Sequence, residues 1–547
     1  MATRKPKPTT TARGTPHQRS SKATEAQAPK RTGGASPASA NTAAPPGQTA
    51  VRVRMYRQGL GDCFLLTFGP AGGRAAAAKP FHVLIDCGVI LGTPKQAEKM
   101  RTVAEDLLAT TGGRIDVLVA THEHWDHLSG FVQAPDVFQK IEIGDVWLAW
   151  TEDPAHPVAK KLRDRRRAAV AALARAVPRL RAMNSPTADR LAGLLGFAGI
   201  DVAASPAAAT GTSGQTTAAA LDYLAGRVRQ PKYCRPGQDP IALPGVPGVR
   251  VYVLGPPEDE ALLKRSDPTK AGKEVYDFAF DFAFEEGFLT ALDREGGDGL
   301  EPADTLDERE RAERGRPFDA GYRVPEADAA AHAFFRDHYG FPADAAHPGA
   351  AAGDADDDLA YRRIESDWLE AAGGLALKLD SDTNNTSLAL AIELTATGKV
   401  LLFPADAQVG NWLSWAGVKW PRTGDPADPG TVTGPKLLAR TVVYKVGHHA
   451  SHNATLRAQG LELMRSPDLV ALIPVDERIA RDKKHWDMPY APLLTRLTDL
   501  TRGRVLRADK GAPAYGDKPA TATRAEWDAF RKAVRQTDLY VEFTLSG

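Results

Sequence analysis

Thr121-His122-Glu123-His124-Trp125-Asp126-His127 follows the apolar run Ile115-Asp-Val-Leu-Val-Ala120. The run reads as a buried strand, so the histidines stand where a strand ends. On an extended chain, positions two apart point the same way. His122 and His124 can therefore grip one metal ion, and a turn brings Asp126 and His127 to a second. Imidazole and carboxylate without thiolate suit Zn²⁺, with Mn²⁺ or Fe as alternatives. Histidine is 13 of 547 residues. This pattern should therefore arise by chance on the order of 10⁻³ times or less in such a chain.

Four side chains do not complete two metal sites, so further ligands are expected at other strand ends. Phe403-Pro404-Ala405-Asp406 ends one apolar strand with a carboxylate. Lys445-Val446-Gly447-His448-His449-Ala450-Ser451 ends another with paired histidines.

Working outward, strands are expected at Val51–Tyr56, Cys63–Phe68 and Phe81–Asp86, and an amphipathic helix at Gln96–Thr110 closed by Gly112-Gly113. Residues 152–375 read as a mainly helical insertion, with a helix at Arg165–Ala182 and a returning strand near 249–254. The segment 203–217 reads as a loop and 343–358 as a mobile stretch. A second strand-rich block holds Thr386–Thr395, Lys399–Phe403, Thr441–Val446 and Leu469–Val475. Residues 1–48 carry almost no large apolar side chain and read as a disordered basic tail. The fold is thus expected to have an N-terminal half at 49–151 and a C-terminal half at 376–547.

Composition narrows the classes. Apolar residues are 43% and charged residues 25%, ordinary for a globular chain. No apolar run approaches the roughly 20 residues of a membrane span, so no membrane partner is expected. A net charge of +1 gives no global field for nucleic acid. Three cysteines without a C-x-x-C, and a start without a signal-like apolar core, fit a cytoplasmic location.

Several stretches run in order: Gly59-Leu-Gly-Asp62-Cys-Phe-Leu-Leu, Leu84-Ile-Asp86-Cys-Gly88, the histidine motif through Gly130, Asn384-Asn385-Thr-Ser-Leu-Ala-Leu, Leu402-Phe-Pro-Ala-Asp406-Ala, Val446-Gly-His448-His449-Ala-Ser451 and His485-Trp-Asp-Met-Pro489. In these the chain resembles a metallo-β-lactamase-fold hydrolase. Within that superfamily it is most similar to the soluble hydrolase domain of ComEC-type DNA-uptake proteins. The resemblance covers roughly 51–150 and 375–512. It implies an αββα sandwich, an α/β fold, and hydrolysis with one or two Zn²⁺ ions.

Carried over by residue, the resemblance places His122 and His124 on the first ion and Asp126 and His127 on the second. Asp406 bridges both and His448 completes the second site. Asp126 and His449 serve catalysis, His449 as proton donor. Asp86 orients the ligand loop, and His485 and Asn385 meet substrate. The superfamily's further histidine for the first ion has no clear counterpart: Val249–Leu254 ends in Gly255-Pro256-Pro257, and His156 follows the motif too closely. The branch favours a phosphodiester in DNA, RNA or a nucleotide. Lactone or thioester hydrolysis, and a non-catalytic scaffold whose insertion binds a protein partner, are the alternatives.

Other stretches read more plainly. Gly59-Leu-Gly-Asp62 lacks the Lys-Ser/Thr of a phosphate loop and reads as a tight turn. Ser387 and Ser451 lack a nucleophile elbow. Cys87 reads as a buried core thiol. Arg163–Arg167 reads as a solvated helix face, with phosphate-backbone binding as the alternative.

Overall fold

The computed structural model describes residues 49–70, 79–202, 216–265, 322, 324, 326–339, 369, 372–422, 429–453 and 455–546. The expected tail at 1–48, most of the loop at 203–217 and the stretch 343–358 lie outside the described residues.

In chain order the strands are β1 (Thr49–Tyr56), β2 (Cys63–Pro70), β3 (Phe81–Cys87), β4 (Arg114–Ala120), β5 (Glu142–Ala149) and β6 (Lys232–Cys234). Next come β7 (Ile241–Ala242), β8 (Val249–Gly255), β9 (Ala389–Leu394), β10 (Lys399–Phe403), β11 (Lys419–Trp420) and β12 (Val432–Thr433). The last are β13 (Thr441–Lys445), β14 (Val470–Ile473), β15 (Val505–Arg507), β16 (Val534–Gln536) and β17 (Tyr540–Leu545). One sheet runs β16-β17-β1-β2-β3-β4-β5-β6 and the other β15-β14-β13-β10-β9-β8-β7. Each is antiparallel on one side and parallel on the other. β3, β4, β5 and β6 run parallel in the first, and β10, β13, β14 and β15 in the second.

The two sheets face each other across one apolar layer. Val53, Phe64, Val83 and Val119 of the first meet Val251, Leu390, Leu401 and Val443 of the second. Helices cover both outer faces. The helix Gln96–Thr111 buries Met100, Val103, Ala104 and Leu107, a helical stripe, against Leu84 and Leu118. It stops at Gly112, whose φ of 63° is the left-handed conformation that closes helices. On the other side Trp412, Trp415 and Leu437 cover Leu402 and Tyr444. These four layers are the expected αββα sandwich.

The expected insertion is not one block. β6 adds to the first sheet and β8 lies inside the second, between β7 and β9. Strand pairing leaves little choice: Val249, Val251 and Val253 alternate into the inter-sheet core opposite the antiparallel partner β9. The boundaries 152 and 375 therefore enclose sandwich strands as well as helices. The described helices that stand apart are Pro157–Ala182, Thr187–Leu195 and Ala372–Asn385. They share a core of their own, with Leu173, Val177, Leu191, Leu195 and Leu375. The C-terminal half is not separate either, because β17 pairs with β1 from Val51↔Leu545 to Tyr56↔Tyr540. No helix among the described residues is long and apolar enough to cross a membrane.

Candidate metal centre

Every group at the centre sits where a strand ends. Asp86 is the penultimate residue of β3, the histidine motif follows β4, and Asp406 follows β10. Lys445 closes β13, with His448 and His449 just beyond it. These are the carboxyl ends of parallel strands, where open α/β sheets collect ligands.

The motif is seated on glycine. The Asp62 N–H donates to the Asp126 carbonyl at 2.9 Å, and the Gly88 N–H to the Asp62 carbonyl at 2.9 Å. A Cβ on Gly88 would stand 2.4 Å from the Asp126 carbonyl carbon. The expected outcome of Gly88→Ala is a loss of about 1–3 kcal/mol in denaturant unfolding, because backbone must move. Gly59-Leu-Gly-Asp62 is thus a backbone support under the motif, as the turn reading expects.

Four atoms converge. His127 Nε2 lies 3.1 Å from Asp406 Oδ2 and 3.9 Å from Asp126 Oδ2. His449 Nε2 lies 2.8 Å from Asp126 Oδ2 and 3.8 Å from Asp406 Oδ2. Ligands bonded to one ion at 2.0–2.2 Å in a tetrahedron stand about 3.4 Å apart, so this set matches one ion. The outer nitrogens are tied down: His127 Nδ1 to Asp86 Oδ2 at 2.8 Å, and His449 Nδ1 to the Pro474 carbonyl at 2.8 Å. Such partners fix a ring with Nε2 facing inward. Asp86 also accepts from the Thr121 N–H at 2.9 Å and its hydroxyl at 2.7 Å.

His448 is the expected ligand and His449 the expected proton donor. His449, not His448, joins the cluster. The His448 N–H donates to Asp406 Oδ1 at 3.0 Å, while its Nδ1 meets the Ser451 hydroxyl at 3.0 Å. Both residues have left-handed backbone, φ 40° and 53°, which turns successive side chains differently from a strand. Asp406 Oδ1 is also bonded to Lys445 Nζ at 3.0 Å, so Oδ2 is the oxygen turned toward the His127 and His449 rings.

His122 Nε2 and His124 Nδ1 lie 3.1 Å apart and form a second pair of inward nitrogens. Burial lowers both rings, His124 to about 3, which keeps their lone pairs free. Burial opposes charge on His127 too, but Asp406, Asp62, Asp86 and Asp126 raise it well above the ordinary histidine value. Asp406 is likewise disfavoured by burial, yet Lys445 and His127 hold its carboxyl well below the usual range.

Asp62 and Lys445 are the members sequence reasoning missed. Lys445 Nζ lies 2.5 Å from Asp62 and 3.0 Å from Asp406. Asp62, His127, Asp406 and His449 each offer one potential ligand atom, all within 4.8 Å of one another. However, Asp62 meets the Nδ1 sides of both rings, at 3.8 and 3.7 Å, and so lies behind the Nε2 face. The only available signal was the repetition of Asp and Lys beside strand ends, in Gly61-Asp62 and Lys445-Val446.

Asn385, expected to meet substrate, is engaged within the fold. It is fully buried, its Oδ1 accepts the Gln408 and Asn411 N–H groups and its Nδ2 donates to the Arg265 carbonyl. It staples the end of the helix Ala372–Asn385 to the Asp406 loop. His485 is exposed with φ 59°. Ser387 accepts the Asp406 N–H at 3.2 Å and is structural. Cys87 is buried in the outer core, as expected.

Arg166 departs from the solvated-face reading. Its side chain is only 12% exposed, bonds Glu123 of the motif, and lies 3.4 Å from Glu152. The Thr217 hydroxyl donates to the other Glu123 oxygen at 3.1 Å. The arginine therefore ties the helix Pro157–Ala182 to the ligand loop. Arg166→Ala would leave Glu123 buried without its cation. The expected cost is about 3 kcal/mol, read by chemical denaturation, with faster hydrogen exchange along that helix.

The donor set suits a cation on charge grounds. Asp62, Asp86, Asp126 and Asp406 are all buried around one lysine. Asp62, Asp126 and Asp380 each keep a buried oxygen without a partner among the described residues. Buried carboxylates are costly unless paired or bound to metal.

Residues 81–157 match the family model of the metallo-beta-lactamase superfamily. That segment contains β3, β4, Asp86 and the whole histidine motif. No curated protein and no solved structure matches the chain significantly. The matched segment carries the histidine motif, and the His/Asp cluster built on it could hold a metal ion.

Proposed function

We propose that this protein hydrolyses phosphodiesters with Zn²⁺, and that Asp126, His127, Asp406 and His449 hold the tighter ion. The convergence of their Nε2 and Oδ2 atoms carries this reading. His122 and His124 hold a second ion. A bound divalent cation supplies an activated water near neutral pH and offsets charge developing on the attacked group.

The residues of the chain do the rest. Lys445 occupies Asp406 Oδ1 and so directs Oδ2 inward. Asp86 and the Pro474 carbonyl hold the rings of His127 and His449. His448 keeps 6% exposure against 1% for His449, so it is the one of the pair that can contact substrate. Burial lowers it to about 4, so it is neutral and hydrogen-bonds rather than pairing with charge. The preference for a phosphodiester, including nucleic acid, rests on the resemblance of the ordered motifs to the ComEC-type branch.

One observation favours the second reading, a lactone or thioester. A cavity of about 350 Å³ lies against His124 and Asp380. Its walls include Leu173, Leu194, Phe197 and Leu379, which suit an apolar substituent, with Glu123, Arg166 and Arg167 at the polar side. Purified full-length protein loaded with Zn²⁺ should be assayed on plasmid DNA, bis(p-nitrophenyl) phosphate, thioesters and lactones. Turnover of the phosphodiesters above the others supports the first reading. Turnover of thioesters or lactones alone replaces it with the second, and no turnover of any leaves the scaffold reading.

A further inference from the structure

We propose that Asp380 is a positioning carboxylate for the first ion, holding His124 by its outer ring nitrogen; this rests on the metal reading above. His124 Nδ1 faces His122 Nε2 at 3.1 Å, so Nδ1 is the inward atom and the ring proton belongs on Nε2. Asp380 Oδ1 stands 3.7 Å from that Nε2. The gap exceeds an ordinary hydrogen bond by about half an ångström.

Three features make this more than proximity. Asp380 Oδ1 is buried and has no partner among the described residues, while Oδ2 accepts from Asn384 Nδ2 at 3.2 Å. A buried carboxylate oxygen is costly to leave unmet, and the neighbouring imidazole is the donor in reach. Phe197 packs on the His124 ring with centroids 5.1 Å apart, and is itself stacked on Trp486 at 5.1 Å. The ring is thus confined on one side by an aromatic and approached on another by a carboxylate.

Asp380, Phe197 and Trp486 all lie outside the matched segment 81–157. The helix Ala372–Asn385 brings Asp380 there, and Asn385 anchors its end to the Asp406 loop. The arrangement supplies what the first ion lacks. With two histidines as its own ligands, its hold depends on how firmly those rings are oriented. Carboxylates behind ligand histidines typically change metal affinity 10–100-fold.

The test is a Zn²⁺ titration of metal-free full-length protein against a chromogenic chelator, for wild type, Asp380→Asn and Asp380→Ala. Circular dichroism serves as the folding check. Wild type should bind two ions of unequal affinity. Asp380→Ala should weaken the weaker site about 10–100-fold and leave the tighter one unchanged, with Asp380→Asn in between. Co²⁺ substitution should show altered visible bands for the weaker site alone, a signature that loss of helix packing would not produce. Unchanged affinities at both sites, or equal weakening of both, overturn the inference. Wild type binding a single ion overturns it while sparing the tighter site. Wild type binding none overturns the metal reading and this inference with it.

Discussion

Asp126→Ala is expected to lower turnover of the best substrate by about 10³-fold or more, equal to about 4 kcal/mol of transition-state stabilisation, while the protein stays folded. The side chain contributes one of four converging atoms, 2.8 Å from His449 Nε2. No neighbour can replace it. Asp406 Oδ1 is taken by Lys445 and the His448 N–H, and Asp62 lies on the Nδ1 side of the rings. Folding is spared because the truncation removes a buried charge facing another carboxylate rather than a block of apolar core. The measurement is turnover of wild type and Asp126→Ala at matched Zn²⁺ content, with Asp126→Asn as the isosteric control. Equal rates would end the hydrolase assignment.

Lys445→Met should be the most damaging single change to stability at the centre, about 3–5 kcal/mol in the metal-free protein. The ammonium is 2% exposed and lies between Asp62 and Asp406, which are 3% and 1% exposed. Its removal leaves two buried carboxylates facing each other. The contributions are separable, because adding Asp62→Asn to Lys445→Met removes one of those charges and should recover part of the loss. Urea unfolding of the single and double variants gives both numbers. If Lys445→Met unfolded at the wild-type midpoint, the lysine would not be the internal counter-ion described above.

Much of the centre was legible from local pattern. The strand Ile115–Ala120 and the motif after it place four polar side chains at one sheet edge, and spacing alone pairs His122 with His124. Asp406 and the His448-His449 pair were found the same way, as polar groups closing apolar runs, and Asp86 came from the resemblance of the ordered motifs. What misled was local geometry that spacing cannot carry. Two successive left-handed residues decide that His449 and not His448 turns inward. Arg166 looked like one of a row of solvated arginines, and only the packing of its helix on the motif sets it against Glu123. Asn385 sat beside motif residues and seemed available, yet its amide is used up by backbone from the Asp406 loop.

The strands, the helix Gln96–Thr111 and the strand-end origin of the ligands followed from apolar periodicity and residue type, because each depends on neighbours a few positions away, while the αββα class came from the resemblance of the ordered motifs. Contacts between distant segments did not. That β8 threads into the second sheet and β17 closes the first, that Lys445 counters Asp62 and Asp406, and that Asp380 reaches His124 all depend on which strands and helices become neighbours in space. Burial then acts on those encounters: away from water an unpaired charge or lone pair is costly, so carboxylates, lysine and imidazoles from remote segments settle into one another's reach.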